Sequence, residues 1–315
     1  MRIAPIVVSI ALLNVTSGST AAAAADAPKR PRITGVAHIA LFVHDMEASR
    51  AYYKDFLGLG EPYSLNNPDG TLSMTFIKVN DRQYVELFPE VAPATDRLSH
   101  ISVETDDVEE MRKYLGSKGV KVPEAVTVAR IKNKAFTVKD PDGHTVEFVE
   151  YTPEGWSMRE KGKFMSDAAP SHRMMHLGIL VGSLEPAMKF YGDVLGFQEF
   201  WRGSRDEKQL NWVNMRVPDG DTYIEFMLYD QVPAETARGS SHHICLEVPD
   251  IEKAKAALEA KPAAKAYTKP LEIRTGINRK RQLNLYDPDG TRSELMEPKT
   301  VDGVPAPSSK APPPH

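Results

Sequence analysis

DPDGHTVEF at residues 140–148 and DPDGTRSEL at residues 287–295 are near copies of each other. Each is a polar turn punctuated by Pro and Gly that leads into a short run of strand-forming residues. Each also sets one carboxylate, Glu147 or Glu294, inside an otherwise apolar strand. So specific a combination, met twice, implies a repeated unit, and the rest of the chain is read outward from it.

Upstream of the first copy, GVAHIALFV (35–43) alternates as a strand, and the apolar residues of MEASRAYYKDFLG recur at helical spacing. Three short strand candidates follow: EPYSL, TLSMTFIKV after NNPDG, and QYVELF after NDR. The same order of strand, helix and three strands restarts at LSHISVET, at MMHLGILV and at SHHICLEV. Four modules of about sixty residues therefore pair into two halves. The expected fold class is α+β, with four βαβββ modules forming two tandem domains, residues 33–152 and 172–298, joined by a linker at 153–171.

A chain of 315 residues is long enough for two such domains with substantial cores. A net charge of −4 and 41% apolar content describe a soluble protein, and no basic stripe points to nucleic acid. Residues 1–25 pair Arg2 with a short apolar run and a small-residue stretch ending in alanines, the layout of a signal peptide cleaved near Ala25. The expectation is a periplasmic or secreted protein, free of the membrane after cleavage. Cys245 is the only cysteine, which leaves no intrachain disulfide and puts the burden of stability on the cores or on bound metal. Residues 299–315 are rich in Pro and Ser and read as a disordered tail.

Successive side chains on a strand point to opposite faces, so each strand divides into two sets. Ala37, Ile39, Leu41 and Val43 make one wholly apolar face, suited to lying under the module's helix; His38 is on the other. Applied to every module, the division sets one His or Glu on each non-helical face, in the order His38, Glu86, His100, Glu147 and then His176, Glu225, His243, Glu294. A lone histidine on a strand is more often a core or surface residue than a ligand; the recurrence of eight in one order is what argues for more. Two imidazoles and two carboxylates on one concave surface suit a divalent ion such as Zn, Ni, Co, Mn or Fe(II), up to two per chain. Unpaired buried carboxylates would otherwise cost several kcal/mol each.

Phe42, Tyr84, Phe88, Ser102, Tyr223, Met227 and Cys245 are expected to line the same faces, a largely apolar wall for a small organic ligand. Cys245 shares the face of His243 and reads as a small buried hydrophobe. Arg279, Lys280 and Arg281 read as a solvated hairpin, with attraction of an anionic substrate as the alternative. His144 and His242 each adjoin a proposed ligand or its strand and should point away from the metal, while His44 and His172 fall at solvent-exposed ends.

With these residues assembled, the chain resembles the vicinal oxygen chelate superfamily, which includes glyoxalase I, extradiol dioxygenases, fosfomycin-resistance and bleomycin-binding proteins. AHIALFVHD, AYYKDFLGLG and KDPDGHTVEFVE carry the resemblance in the first half, and MHLGILV, KFYGDVLGF and YDPDGTRSELME in the second. It spans about residues 33–298 and implies that each module pair forms a cup around a metal. The His, Glu, His, Glu order is similar to the glyoxalase I ligand set, whereas extradiol dioxygenases use His, His, Glu. Thr137 and Asn284 stand where those dioxygenases usually carry a tyrosine, and ARIKNKAF and GINRKRQ contain no histidine, which disfavours ring cleavage. The resemblance allows a site within one domain, or one joining His38 and Glu86 to His243 and Glu294.

By resemblance, Glu147 and Glu294 are the first choices for general base, with Glu86 and Glu225 next, acting on a substrate enediolate or oxyanion. The implied activity is an exported, metal-dependent lyase or isomerase of glyoxalase type on a small oxygen-chelating substrate. Ring-cleaving dioxygenase and non-catalytic, bleomycin-resistance-like binding are the alternatives, and the chain is expected as a monomer or homodimer.

Overall fold

In the computed structural model, residues 28–92 and 96–314 are described; the expected signal peptide lies outside them. The alternation in the first half becomes eight strands: β1 (Ile33–Val43), β2 (Gly60–Asn66), β3 (Leu72–Asn80), β4 (Gln83–Pro89), β5 (Leu98–Thr105), β6 (Thr127–Val128), β7 (Lys134–Lys139) and β8 (Thr145–Glu150). They form one sheet in the order β2-β3-β4-β1-β5-β8-β7-β6. β1 runs parallel to β4 and antiparallel to β5, and β5 runs parallel to β8, so the two modules meet at the centre of the sheet. The second half repeats this with β9 (Met174–Val181), β10 (Gln198–Gly203), β11 (Trp212–Arg216), β12 (Tyr223–Leu228), β13 (His243–Glu247), β14 (Ile273–Thr275), β15 (Lys280–Tyr286) and β16 (Arg292–Thr300). Its order, β10-β11-β12-β9-β13-β16-β15-β14, is the same topology. The protein is thus an α+β chain of two tandem cup-like domains, as the repeats imply.

In three of the four modules the helix begins where an aspartate caps it. Asp45 accepts from Ala48 N ahead of α1 (Met46–Arg50), Asp107 from Glu110 N ahead of α2 (Val108–Ser117), and Asp250 from Glu252 N and Lys253 N ahead of the fourth module's helix, Ile251–Glu259. α1 and its counterpart Leu184–Ala187 run on into π-helical turns, Ala51–Phe56 and Met188–Val194. The helix-side faces of both sheets share one continuous apolar core, in which Ile39, Leu41, Ile101, Leu177, Ile179 and Ile224 are fully buried. Each such side chain contributes about 1.5–3 kcal/mol by leaving water. Among the described residues no helix is long and apolar enough to cross a membrane.

The two domains grip each other through the repeated turns. Gly143 and Gly290 adopt φ of 86° and 85°, a left-handed conformation that glycine tolerates, and this closes each DPDG turn. The first aspartate of each turn uses one oxygen locally: Asp140 Oδ1 accepts from Asp142 N and His144 N, and Asp287 Oδ1 from Asp289 N and Thr291 N. Its other oxygen reaches the opposite domain, where Tyr191 Oη donates to Asp140 Oδ2 and Tyr53 Oη donates to Asp287 Oδ2. The second aspartates follow suit, Asp142 accepting from Gly182 N and Asp289 from His44 N. Thr222 Oγ1 accepts from Val36 N and Gln83 Oε1 from Met174 N, another matched pair. The domains are therefore related by an approximate twofold.

Two expected connections are corrected. The stretch 153–171 holds a short helix, Trp156–Arg159, whose indole is buried against Met74, Phe76 and Tyr84 of the first sheet. Lys78, buried in β3, donates to the carbonyls of Glu160 and Lys163 and fixes the segment further. The expected disordered tail, 299–315, instead begins inside β16 and then lies along β10 and its loop. Ser309 N donates to Arg202 O, Leu210 N to Pro312 O, and Trp201 Nε1 to Pro307 O. Low apolar content does not register carbonyls that a neighbouring strand edge and an indole can use.

Candidate metal centres

The register at the centre of each sheet brings the alternating His and Glu side chains together. In the first domain Glu86 and His100 flank Ala40, and Glu147 lies beside Ser102. The Nε2 atoms of His38 and His100 are 3.0 Å apart, and Glu147 Oε1 is 3.3 Å from His38 Nε2. Glu86 straddles the pair, its two oxygens 3.7 Å from the respective Nε2 atoms. In the second domain the His176 and His243 Nε2 atoms are 3.1 Å apart. Glu294 Oε2 is 3.5 and 3.8 Å from them, and Glu225 Oε2 is 3.9 and 3.4 Å. All eight predicted side chains are thus gathered, four to a cup. Each set comes from one domain, so the arrangement joining His38 and Glu86 to His243 and Glu294 does not arise in this fold.

The first cup has the electrostatics of a cation site. Burial pushes the Glu86 carboxyl well above the usual range, and the adjacent Glu147 carboxylate pushes it further. Glu147 is also raised by burial, although the Ser102 hydroxyl, 3.0 Å from Oε1, works the other way. Burial lowers His38 well below its usual value, with His100 adding to the effect, and lowers His100 to about 4. Both imidazoles are therefore neutral at pH 7, the form that offers a lone pair to a metal. Donors at about 2.0–2.2 Å from an ion and at right angles stand about 3.0 Å apart, and the observed separations lie close to that. A tight core of His38, His100 and Glu147, like that of His176, His243 and Glu294, keeps its donor atoms within 4.8 Å of one another. The residues fit a divalent ion, and two otherwise unpaired buried carboxylates are the reason the fold would need one.

The wall of the first cup is largely apolar and aromatic, as the sequence suggested for Tyr84 and Phe88, with Phe76 and Tyr151 completing it around a cavity of about 230 Å³ and Trp156 packed against Phe76 and Tyr84. That volume suits a small metabolite. Tyr84 and Tyr151 donate their hydroxyls to the carbonyls of Asp81 and Arg82, which turns ring faces rather than phenols to the cup. Phe42 packs edge-on against Phe88 with centroids 6.2 Å apart. In the second domain Glu225, Glu294 and Arg292 line one cavity with Trp201 and Trp212, Tyr223 and Lys280 line an adjoining one with Phe200 and Asn214, and Cys245 is buried with Met175, Tyr223 and Met296. Burial pushes the Cys245 thiol well up, so it behaves as a small hydrophobe.

Tyr151, Trp156 and Arg292 escaped the sequence reading, and Lys280 was expected in a solvated hairpin. Tyr151 and Trp156 follow the last strand of their module and were counted as its end and as linker. Arg292 enters the second cup from β16, its Nη2 2.8 and 2.9 Å from the two ring nitrogens of His243. Its signal was available, since a residue two before Glu294 must share its face. Lys280 lines the second cavity, whereas its neighbours pair outward, Arg279 with Asp302 and Arg281 with Glu297 and Glu252. The histidines expected to turn away do so: His144 meets Asp140 at 2.9 Å and His242 meets Asp96 at 3.3 Å.

Comparison with known proteins agrees with this architecture. Profiles of the glyoxalase/bleomycin resistance protein/dioxygenase superfamily match residues 35–148 and 175–277. The protein YwbC of Bacillus subtilis (strain 168) is 24% identical over 119 residues, 36% of this chain and 94% of that one. Among solved structures, the 2,3-dioxygenase LapB from Pseudomonas sp. KL28 superposes with a TM-score of 0.66 at 15% identity, covering 88% of this chain and 97% of that one. The Mn(II)-bound glyoxalase from Novosphingobium aromaticivorans gives 0.63 at 17% identity, covering 85% and 83%. Homoprotocatechuate 2,3-dioxygenase from Brevibacterium fuscum, with 3,4-dihydroxyphenylacetate bound, gives 0.63 at 20% identity, covering 92% and 88%. At these identities the likeness is one of fold.

Proposed function

Since the chain belongs to the glyoxalase/bleomycin resistance protein/dioxygenase superfamily, we propose that it is a divalent-metal-dependent lyase or isomerase acting on a small oxygen-chelating organic substrate. The carrying observation is that a second carboxylate, Glu86, faces both histidines of the first cup at 3.7 Å while Glu147 stands 3.3 Å from one of them. His38, Glu86, His100 and Glu147 would hold the ion, with Zn, Ni, Co, Mn and Fe(II) all compatible with nitrogen and oxygen donors. When bound, the ion supplies Lewis-acid stabilisation of negative charge developing on substrate oxygen. Glu147 is the candidate base: Ser102 Oγ steadies Oε1 at 3.0 Å, and Oε2 is the oxygen available to take a proton from substrate carbon. Phe76, Tyr84, Phe88 and Tyr151 exclude water from that transfer.

Ring-cleaving dioxygenase chemistry is the second reading. It is supported by the number of dioxygenase structures sharing the fold, and weakened by a wall that offers no histidine beyond His38 and His100 and no free phenol. Export belongs to the same proposal, on the strength of residues 1–25 alone. The test uses mature protein recovered from the periplasmic or culture fraction, with its N-terminal residue determined. Metal content per chain, turnover of 2-oxo aldehyde adducts and oxygen uptake with catechols are then measured. We expect bound metal, isomerisation or lyase turnover without oxygen uptake, and at least a ~100-fold loss of kcat/KM in Glu147→Gln. Catechol-dependent oxygen uptake would put the dioxygenase reading first, and metal-free protein that takes up none would leave only the binding role.

A further inference from the structure

The two cups match in their eight donors and differ in what surrounds them. Among the described residues, Glu86 and Glu147 have no Lys or Arg within ion-pair distance, and Arg130 on the wall of the first cavity donates to the carbonyl of Asn66. In the second cup the guanidinium of Arg292 stands 2.9 Å from His243 Nε2, the nitrogen that would ligate an ion. Arg292 forms no salt bridge within 4.0 Å, and its buried Nε has no hydrogen-bond partner among the described residues. The Lys280 side chain likewise has no hydrogen bond or ion pair among the described residues, and it lines the adjoining cavity beside Tyr223 and Asn214.

Counting from each DPDG turn, Arg292 and Lys280 occupy the places of Thr145 and Asn133 in the first domain. The second domain thus sets a guanidinium against a candidate ligand and an ammonium on the adjoining cavity wall, where the first domain has a threonine and an asparagine. The backbone has adapted as well: a Cβ on Gly178 would stand 1.8 Å from His243 Cε1, so the imidazole lies over a glycine where the first cup has Ala40.

We propose that the cups are inequivalent: the first takes the divalent ion, while in the second Arg292, set against His243, and Lys280 nearby are built-in cations that exclude it. A guanidinium set against His243 Nε2 would repel a dication at short range in a poorly solvated site. The second cup then serves as a fixed charge cluster inside the fold, and one ion per chain is the full complement. This rests on the metal-centre reading of the first cup.

The test is the stoichiometry of Mn(II) bound by the full mature chain after chelator stripping, from equilibrium dialysis with elemental analysis and from the electron paramagnetic resonance signal of free Mn(II). Wild type should bind one equivalent, His100→Ala none, and Arg292→Thr/Lys280→Asn two, the second site gaining on the order of 100-fold in affinity. Arg292→Met, which keeps the volume and removes the charge, should move in the same direction and covers a failure of the double variant to fold. Two equivalents in wild type would overturn the inequivalence and leave the metal-centre reading standing. One equivalent in folded variants lacking the cations would overturn their role. No binding in any form would remove the metal-centre reading and this proposal together.

Discussion

At the residue scale, Asp287 shows how one side chain can tie a turn and a domain boundary together. One carboxylate oxygen accepts two backbone N–H groups of its own turn, and the other accepts the hydroxyl of Tyr53 from the opposite domain. Burial raises it to about 7, although the amide of Thr291 lowers it in part. The folded state therefore holds a proton that the unfolded chain releases near pH 4, and folding is favoured below that range. As pH rises from about 4 through 7, the folded state must ionise a buried group and stability falls, by on the order of 2–4 kcal/mol. Urea unfolding of wild type and Asp287→Asn at pH 4.5 and 8 should show this component in the first and not in the second; equal pH dependence would refute it. The sequence read Asp287 as part of a polar turn, correctly for one oxygen. Its second partner lies 234 positions away, beyond the reach of any local pattern.

At the element scale, what covers the cups was the least legible part of the chain. Trp156 in a polar connection and Pro307 and Pro312 in a proline-rich tail all belong to segments whose composition argues against packing. Each nevertheless docks on a sheet, Trp156 against Phe76 and Tyr84 and the two proline carbonyls on Trp201 Nε1 and Leu210 N. Removing residues 301–315 should expose Trp201 and leave its Nε1 and the Leu210 N–H without their carbonyl acceptors. The expected cost is about 1–3 kcal/mol in unfolding free energy with a red shift of tryptophan emission; unchanged stability and emission would mean that the tail is not docked in solution. Strands, by contrast, were readable almost throughout, because a period of two forces His38, Glu86, His100 and Glu147 to one side of the sheet whatever the loops do. That rule, applied to Arg292, would have found the extra cation too.

At the scale of the whole molecule, the four modules were evident from repetition, but the way the halves meet was not. The apolar stripes of the helices promised a core under each sheet, and the structure merges the two into one. The matched contacts between the halves mean that Tyr53 and Asp140, both in the first domain, each find their partner in the second. Residues 28–152 expressed alone leave both groups unsatisfied, together with a broad apolar face. Sedimentation should therefore find this fragment self-associated, with Tyr53 of one copy against Asp140 of another; a stable monomer would argue that the matched contacts are incidental. Reciprocity of this kind also bears on ancestry. A half-length forebear could close these bonds only by meeting its twin, at the mercy of concentration, and fusion of two gene copies would have made the encounter permanent. From then on, each half was free to drift chemically while its sibling kept the shared architecture in place.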